Sequence, residues 1–109
     1  MREREIQDAI RIAADSQGLA LFRNNCGVAR MGGRVVRYGV GGPGGPDLVG
    51  WCVRSGLFVA IEVKAEKGRQ SPAQAVWQTA CESRGGLYFV CRSTDDLARV
   101  REAIDRRRP

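Results

Sequence analysis

The sequence predicts a mixed α/β (α+β) chain in which a central mixed sheet is flanked by helices, and three observations carry that expectation. Stretches near both ends place apolar residues at helical spacing, Ile6, Ile10 and Ala13 in one and Leu97, Val100 and Ile104 in the other. Two short apolar runs, Leu48 to Val53 and Leu57 to Ile61, are joined by the polar Arg54-Ser55-Gly56, as expected of paired strands. Ser71-Pro72-Ala73-Gln74 has the spacing of a capping box with proline at the first helical position, so another helix opens there. The order is helix, about five strands, helix, strand, helix.

The first helix is expected from about Arg2 to Gln17, with Gly18 as its stop. Glu3 and Gln7 lie at the edge of its apolar stripe, so Glu3 leans toward the core side, while the helical neighbours of Glu5, Ala9 and Ile12, place Glu5 on a different face. A first-turn acid also interacts favourably with the helix dipole. Leu19 to Arg23 reads as a short strand, and Asn24-Asn25-Cys26-Gly27 as a turn. Arg30, Arg34 and Arg37 surround a Gly32-Gly33 turn with Tyr38 following, which describes a basic hairpin. The passage Gly39-Val40-Gly41-Gly42-Pro43-Gly44 fits the spacing G-x-G-x-x-G. A dinucleotide fingerprint needs a helix immediately after it, whereas a proline and a strand-like run follow here, so no nucleotide cofactor is expected. Such a loop either lets a nucleic-acid backbone approach beside Asp47 or merely flexes.

In the run ending at Lys64, side chains alternate between sheet faces: Phe58, Ala60, Glu62 and Lys64 on one, Leu57, Val59, Ile61 and Val63 on the other. The helix from Ser71 closes at Gly85-Gly86, and its stripe of Ala73, Val76, Trp77, Ala80 and Cys81 points Trp77 to the core. Gln74 has a sufficient structural reason in the capping box, and one side chain is not expected to cap a helix and line a site at once. Leu87 to Cys91 reads as a buried strand, and Ser93 or Thr94 as the cap of a last helix. Arg106-Arg107-Arg108 suits that helix's negative end and reads as a solvated tail.

A chain of 109 residues buries about 65% of its unfolded surface, enough for one domain spanning 1–109. Apolar runs of about five residues are far below a membrane span, and no hydrophobic block follows the charged start, so a soluble, intracellular (cytoplasmic) protein is expected. The four cysteines form no C-x-x-C pair and there is no histidine, which argues for buried thiols over zinc or disulfides and excludes Ser-His-Asp and Cys-His chemistry. The net charge of +6 favours a polyanionic partner, and Lys64, Lys67 and Arg69 cluster after the acids.

Asp47 stands after a Gly-Pro turn at the start of one strand, and Glu62 and Lys64 stand at the end of the next. Antiparallel pairing brings the three together. Two carboxylates hold Mg²⁺, which polarises a phosphate and acidifies water, while the lysine acts on the water or on developing charge. An acid-x-Lys pair alone more often ends an edge strand in solvent; the turn-borne aspartate and the five apolar residues before Glu62 reverse that reading.

With these residues in place, Pro46-Asp47 and Glu62-Val63-Lys64 resemble the PD-(D/E)XK nuclease signature, and the surrounding words resemble its VRR-NUC branch, the virus-type replication-repair nucleases. Those words are Glu3-Arg4-Glu5-Ile6-Gln7, Phe22-Arg23-Asn24-Asn25-Cys26-Gly27, Gly45-Pro46-Asp47-Leu48-Val49-Gly50, Ile61-Glu62-Val63-Lys64, Ser71-Pro72-Ala73-Gln74 and Gly85-Gly86. The resemblance implies a restriction-endonuclease-like fold and a DNA endonuclease using Mg²⁺ or Mn²⁺, with Asp47, Glu62 and the Val63 carbonyl on the metal. It further implies a helix-1 acid that joins the metal site, best matched by Glu3 with Glu5 as the reserve, with Lys64 acting on the water, Gln74 in the active-site signature, Arg23 and Asn24 bordering it, and 5′-phosphate and 3′-hydroxyl products. The rivals are a non-specific nicking nuclease and a non-catalytic DNA-binding module on the same fold, but a mere binder gains nothing from acids that repel phosphate. Only the arginine hairpin remains for reading bases, so shape is the expected cue, through phosphate contacts from Arg30, Arg34 and Arg37. Small stand-alone proteins similar to this one are associated with four-way (Holliday) junctions, and a symmetric branched substrate calls for a homodimer.

Overall fold

Apolar residues one helical turn apart close Glu3–Ala14 into a helix, α1, which a 3₁₀ turn over Asp15–Gln17 extends and Gly18 stops at φ 73°. The computed structural model describes residues 1–107, so Arg108 of the predicted arginine tail lies outside the described residues. Strands follow at Leu19–Arg23 (β1), Gly27–Met31 (β2), Arg34–Tyr38 (β3), Leu48–Cys52 (β4) and Phe58–Val63 (β5). Helix Pro72–Ser83 (α2), strand Leu87–Cys91 (β6) and helix Leu97–Arg106 (α3) complete the expected order.

The strands divide in a way that local sequence does not announce. A four-stranded sheet runs β1-β4-β5-β6, while β2 and β3 pair only with each other as a separate ribbon. Within the sheet, β1/β4 and β4/β5 are antiparallel and β5/β6 is parallel, which makes it mixed. Period-2 alternation sends Leu19, Leu21, Leu48, Cys52, Val59, Ile61, Val63, Leu87 and Cys91 to one face. There they meet Ile6, Ile10 and Ala14 of α1 and Leu97, Val100 and Ile104 of α3. Each fully buried Leu, Ile or Val side chain stabilises this layer by about 1.5–3 kcal/mol. Gly50 allows β1 and β4 to approach, because a Cβ there would overlap the Ala20 carbonyl.

The opposite face is only partly covered. Phe22 and Trp51 pack ring to ring at 5.3 Å, yet both stay about half exposed. Among the described helices, α2 is the one that packs on this side. The expected apolar stripe of α2 does not form core: none of its residues is buried, and Val76 is 71% exposed. Trp77 supplies its aromatic contacts to the sheet, against Phe58 at 6.4 Å and Tyr88 at 6.0 Å. With no second helix beside it, the flanks of the stripe have nothing to bury against.

The cysteines are free, Cys52 and Cys91 buried, Cys81 partly so and Cys26 exposed. Among the described residues, no helix is long and apolar enough to cross a membrane.

Candidate active site

Pairing of β4 with β5 places Leu48 opposite Ile61, so the residues one step beyond, Asp47 and Glu62, face each other where the open side of the sheet meets its end. Asp47 is locked there, its Oδ2 accepting a hydrogen bond from the Val63 amide at 2.8 Å. Asn24 braces it from below. The Asn24 amide N–H donates to the Asp47 carbonyl at 2.8 Å, and its Nδ2 donates to the carbonyls of Pro46 and Val40 at 2.9 and 2.8 Å. Its Oδ1 accepts from the Val40 amide at 2.9 Å. The polar side chain of Asn24 is thereby spent on backbone, tying β1 and the glycine loop to Pro46-Asp47. Arg23 is exposed at the end of β1, opposite Leu48.

Glu62 is 2% exposed, the one charged side chain among the described buried residues. Its Oε2 accepts from Gln74 Nε2 at 2.7 Å and lies 3.8 Å from Lys64 Nζ, whereas Oε1 has no partner. Burial, then the neighbouring Asp47 carboxylate, pushes its carboxyl up to about 8, Lys64 opposes the rise, and Glu3 adds to it. Gln74 departs from the either-or expectation: Oε1 accepts from the Ser71 amide at 2.8 Å, closing the capping box, while Nε2 holds Glu62. An amide has an acceptor end and a donor end, so one side chain performs both tasks.

In the first turn of α1, Glu3 is exposed and is felt at Glu62 through space, whereas Glu5 turns back to accept from the Arg2 amide at 3.3 Å. Among the described residues, no three His, Cys, Asp or Glu side chains gather closely enough to cage an ion. The acidic centre is therefore the pair Asp47 and Glu62, with Glu3 acting from outside. The donors are hard oxygens with one orphaned, which suits a cation that keeps several waters.

Lys64 follows β5 directly, its side chain 13% exposed and its amide donating to the Cys91 carbonyl at 3.1 Å. Gly68 packs against it, since a Cβ there would come within 3.3 Å of Lys64 Cβ. Arg92 secures this loop, its Nη1 donating to the carbonyls of Ala65, Glu66 and Gly68 at 2.7, 3.3 and 2.8 Å. No local pattern announces Arg92, because its partners lie 24 to 27 residues away. Replacing Arg92 by alanine is expected to free the loop that carries Lys64, because three carbonyls lose their donor. Faster amide exchange at residues 65–68 checks it.

Lys67 and Arg69 are exposed past this loop, and Arg30, Arg34 and Arg37 are exposed on the ribbon. The glycine loop folds back on α2: a Cβ on Gly41 would strike the Trp77 indole, and one on Gly44 the Ala73 carbonyl. Packing against α2, together with φ values of 92° at Gly41 and 82° at Gly44, requires glycine at those two positions.

The sequence pattern of the VRR-NUC domain matches residues 1–95. A solved structure described as a VRR_NUC domain superposes with a TM-score of 0.63 at 22% identity, covering 92% of this chain and 94% of that one. That likeness speaks for the fold. No curated protein matches the chain.

Proposed function

The chain belongs to the VRR-NUC domain family, whose type is that of a nuclease, and from that premise we propose that it is a metal-dependent DNA endonuclease acting inside the cell through a single nuclease domain. The observation that carries the proposal is the buried Glu62 carboxylate, with one oxygen orphaned beside a second acid. Leaving that buried oxygen without a hydrogen-bond partner costs about 1–3 kcal/mol, a cost that a bound cation would offset. Asp47, Glu62 and the Val63 carbonyl would hold Mg²⁺ or Mn²⁺, which when bound polarises the scissile phosphate and eases deprotonation of the attacking water. Gln74 fixes the Glu62 carboxylate through its 2.7 Å bond, and Asp47 is held by the Val63 amide. Lys64 stands beside this pair, where its ammonium orients the water or neutralises charge developing on the phosphate. Glu3 deepens the negative field at Glu62.

Cleavage of labelled DNA by wild type, Asp47→Ala, Glu62→Ala and Lys64→Ala, with and without Mg²⁺, tests the reading. Wild type cuts only with the ion and the variants do not; undiminished cleavage by all three would sink it.

The finer proposal is selectivity for branched DNA such as four-way junctions, by a homodimer. One site cuts one strand, so symmetric cutting of a branch requires two copies about a two-fold axis. Light scattering alongside cleavage of a junction and a matched duplex decides this: a monomer that cuts both equally well ends it.

A further inference from the structure

The three ribbon arginines are not equivalent. Register pairs Val28 with Arg37 and Arg30 with Val35, so these four side chains share one face. Met31 pairs with Arg34 and Ala29 with Val36, which places Arg34 on the other face near the tip. Of the first face, Val28 and Arg37 reach the glycine loop and α2, while Arg30 stands one step further toward the ribbon tip. A cleft of about 340 Å³ is lined by Val28 and Arg37 on the ribbon side, by Gly42 and Gly44 of the glycine loop, and by Ser71 and Gln74 of α2. Gln74 is the residue that holds Glu62, so one wall of the cleft stands a single hydrogen bond from the acidic pair.

Its charge and shape suit a phosphodiester chain. No acid occurs between Asp15 and Asp47, whereas arginines stand at 23, 30, 34 and 37. None of the ion pairs among the described residues involves Arg30 or Arg37, so neither guanidinium is committed to an acid within the chain. Gly42, unlike Gly41 and Gly44, has nothing within 4 Å of where a Cβ would stand, leaving room for close approach to the loop backbone.

We infer that the strand flanking the scissile phosphate runs through this cleft, with Arg37 on its nearer phosphate and Arg30 on the next, while Arg34 takes no part. The inference rests on the nuclease reading for the identity of the polyanion, and it divides the ribbon arginines into two that hold substrate and one that does not.

The test is fluorescence anisotropy of labelled linear duplex and four-way junction, titrated with the full chain in EDTA over a series of salt concentrations. Removing a cation that neutralises one phosphate lowers the slope of log K against log salt by about 0.9, because one fewer counterion is released on binding. Arg37→Ala and Arg30→Ala are each expected to show that decrease on both DNAs, Arg37→Lys to retain the wild-type slope, and Arg34→Ala to leave it unchanged. An unchanged slope in Arg37→Ala, an equal decrease in Arg34→Ala, or no salt-dependent binding by wild type overturns the inference. Failure to cleave in Mg²⁺ with the binding pattern intact would remove the nuclease reading and leave the cleft a DNA channel, so the two failures are distinguishable.

Discussion

Replacing Glu62 by glutamine is expected to abolish metal-dependent cleavage and, in the absence of metal, to raise stability at the alkaline end of the range from pH 4.5 to 8. The loss of activity follows from removing a ligand charge from an ion whose charge stabilisation is worth several kcal/mol, so a factor of about 10³ or more is expected at tenfold per 1.36 kcal/mol. The gain in stability follows from linkage. The folded-state carboxyl is raised from 4.5 to about 8, so between those values the folded chain holds a proton that the unfolded chain has released. The associated stability is present below pH 4.5 and is lost as pH rises toward 8. Glutamine does not ionise, so that decline disappears. Its amide keeps an oxygen for Gln74 Nε2 and offers a donor toward Asp47, in place of a carboxylate beside a carboxylate. Thermal unfolding across this pH range in EDTA, paired with cleavage in Mg²⁺, measures both effects; a variant whose melting temperature falls with pH as the wild type's does would refute the linkage.

Lys64→Ala has the second largest expected effect. A side chain that moves a proton or meets charge in the transition state contributes about 10²- to 10⁴-fold, and that loss is expected in kcat with KM nearly unchanged. Metal affinity is expected to persist, because Asp47, Glu62 and the Val63 carbonyl remain. Single-turnover cleavage together with Mn²⁺ titration separates the two; a variant that loses Mn²⁺ and cleavage together assigns Lys64 to site assembly rather than chemistry.

What the sequence reveals and what it withholds divide along physical lines. Asp47, Glu62 and Lys64 can be brought together on paper because alternation and hairpin pairing are local, and the structure keeps that register through Leu48 and Ile61. The brace formed by Asn24 and the loop anchor formed by Arg92 are not visible as such, since their bonds join residues 16 to 27 apart that no periodicity links. The α2 stripe departs from expectation for a related reason: 3.6-residue spacing says which side of a helix is apolar, not whether a neighbour exists to cover it. Departure of β2 and β3 from the sheet has the same origin, because strand propensity does not choose partners. Gln74 misleads differently. Its capping role is legible in the spacing to Ser71, but treating the amide as a single group hides its free donor.

The central claim is that the buried acidic pair is a divalent-cation site. Calorimetric titration of Mn²⁺ into wild type and into Glu62→Gln, at a pH near 8 where the carboxyl ionises, tests it most directly. Saturable binding by the wild type and none at that site in the variant is the expected result; equal binding by both proteins, or none by the wild type, would show that the acidic pair holds no ion.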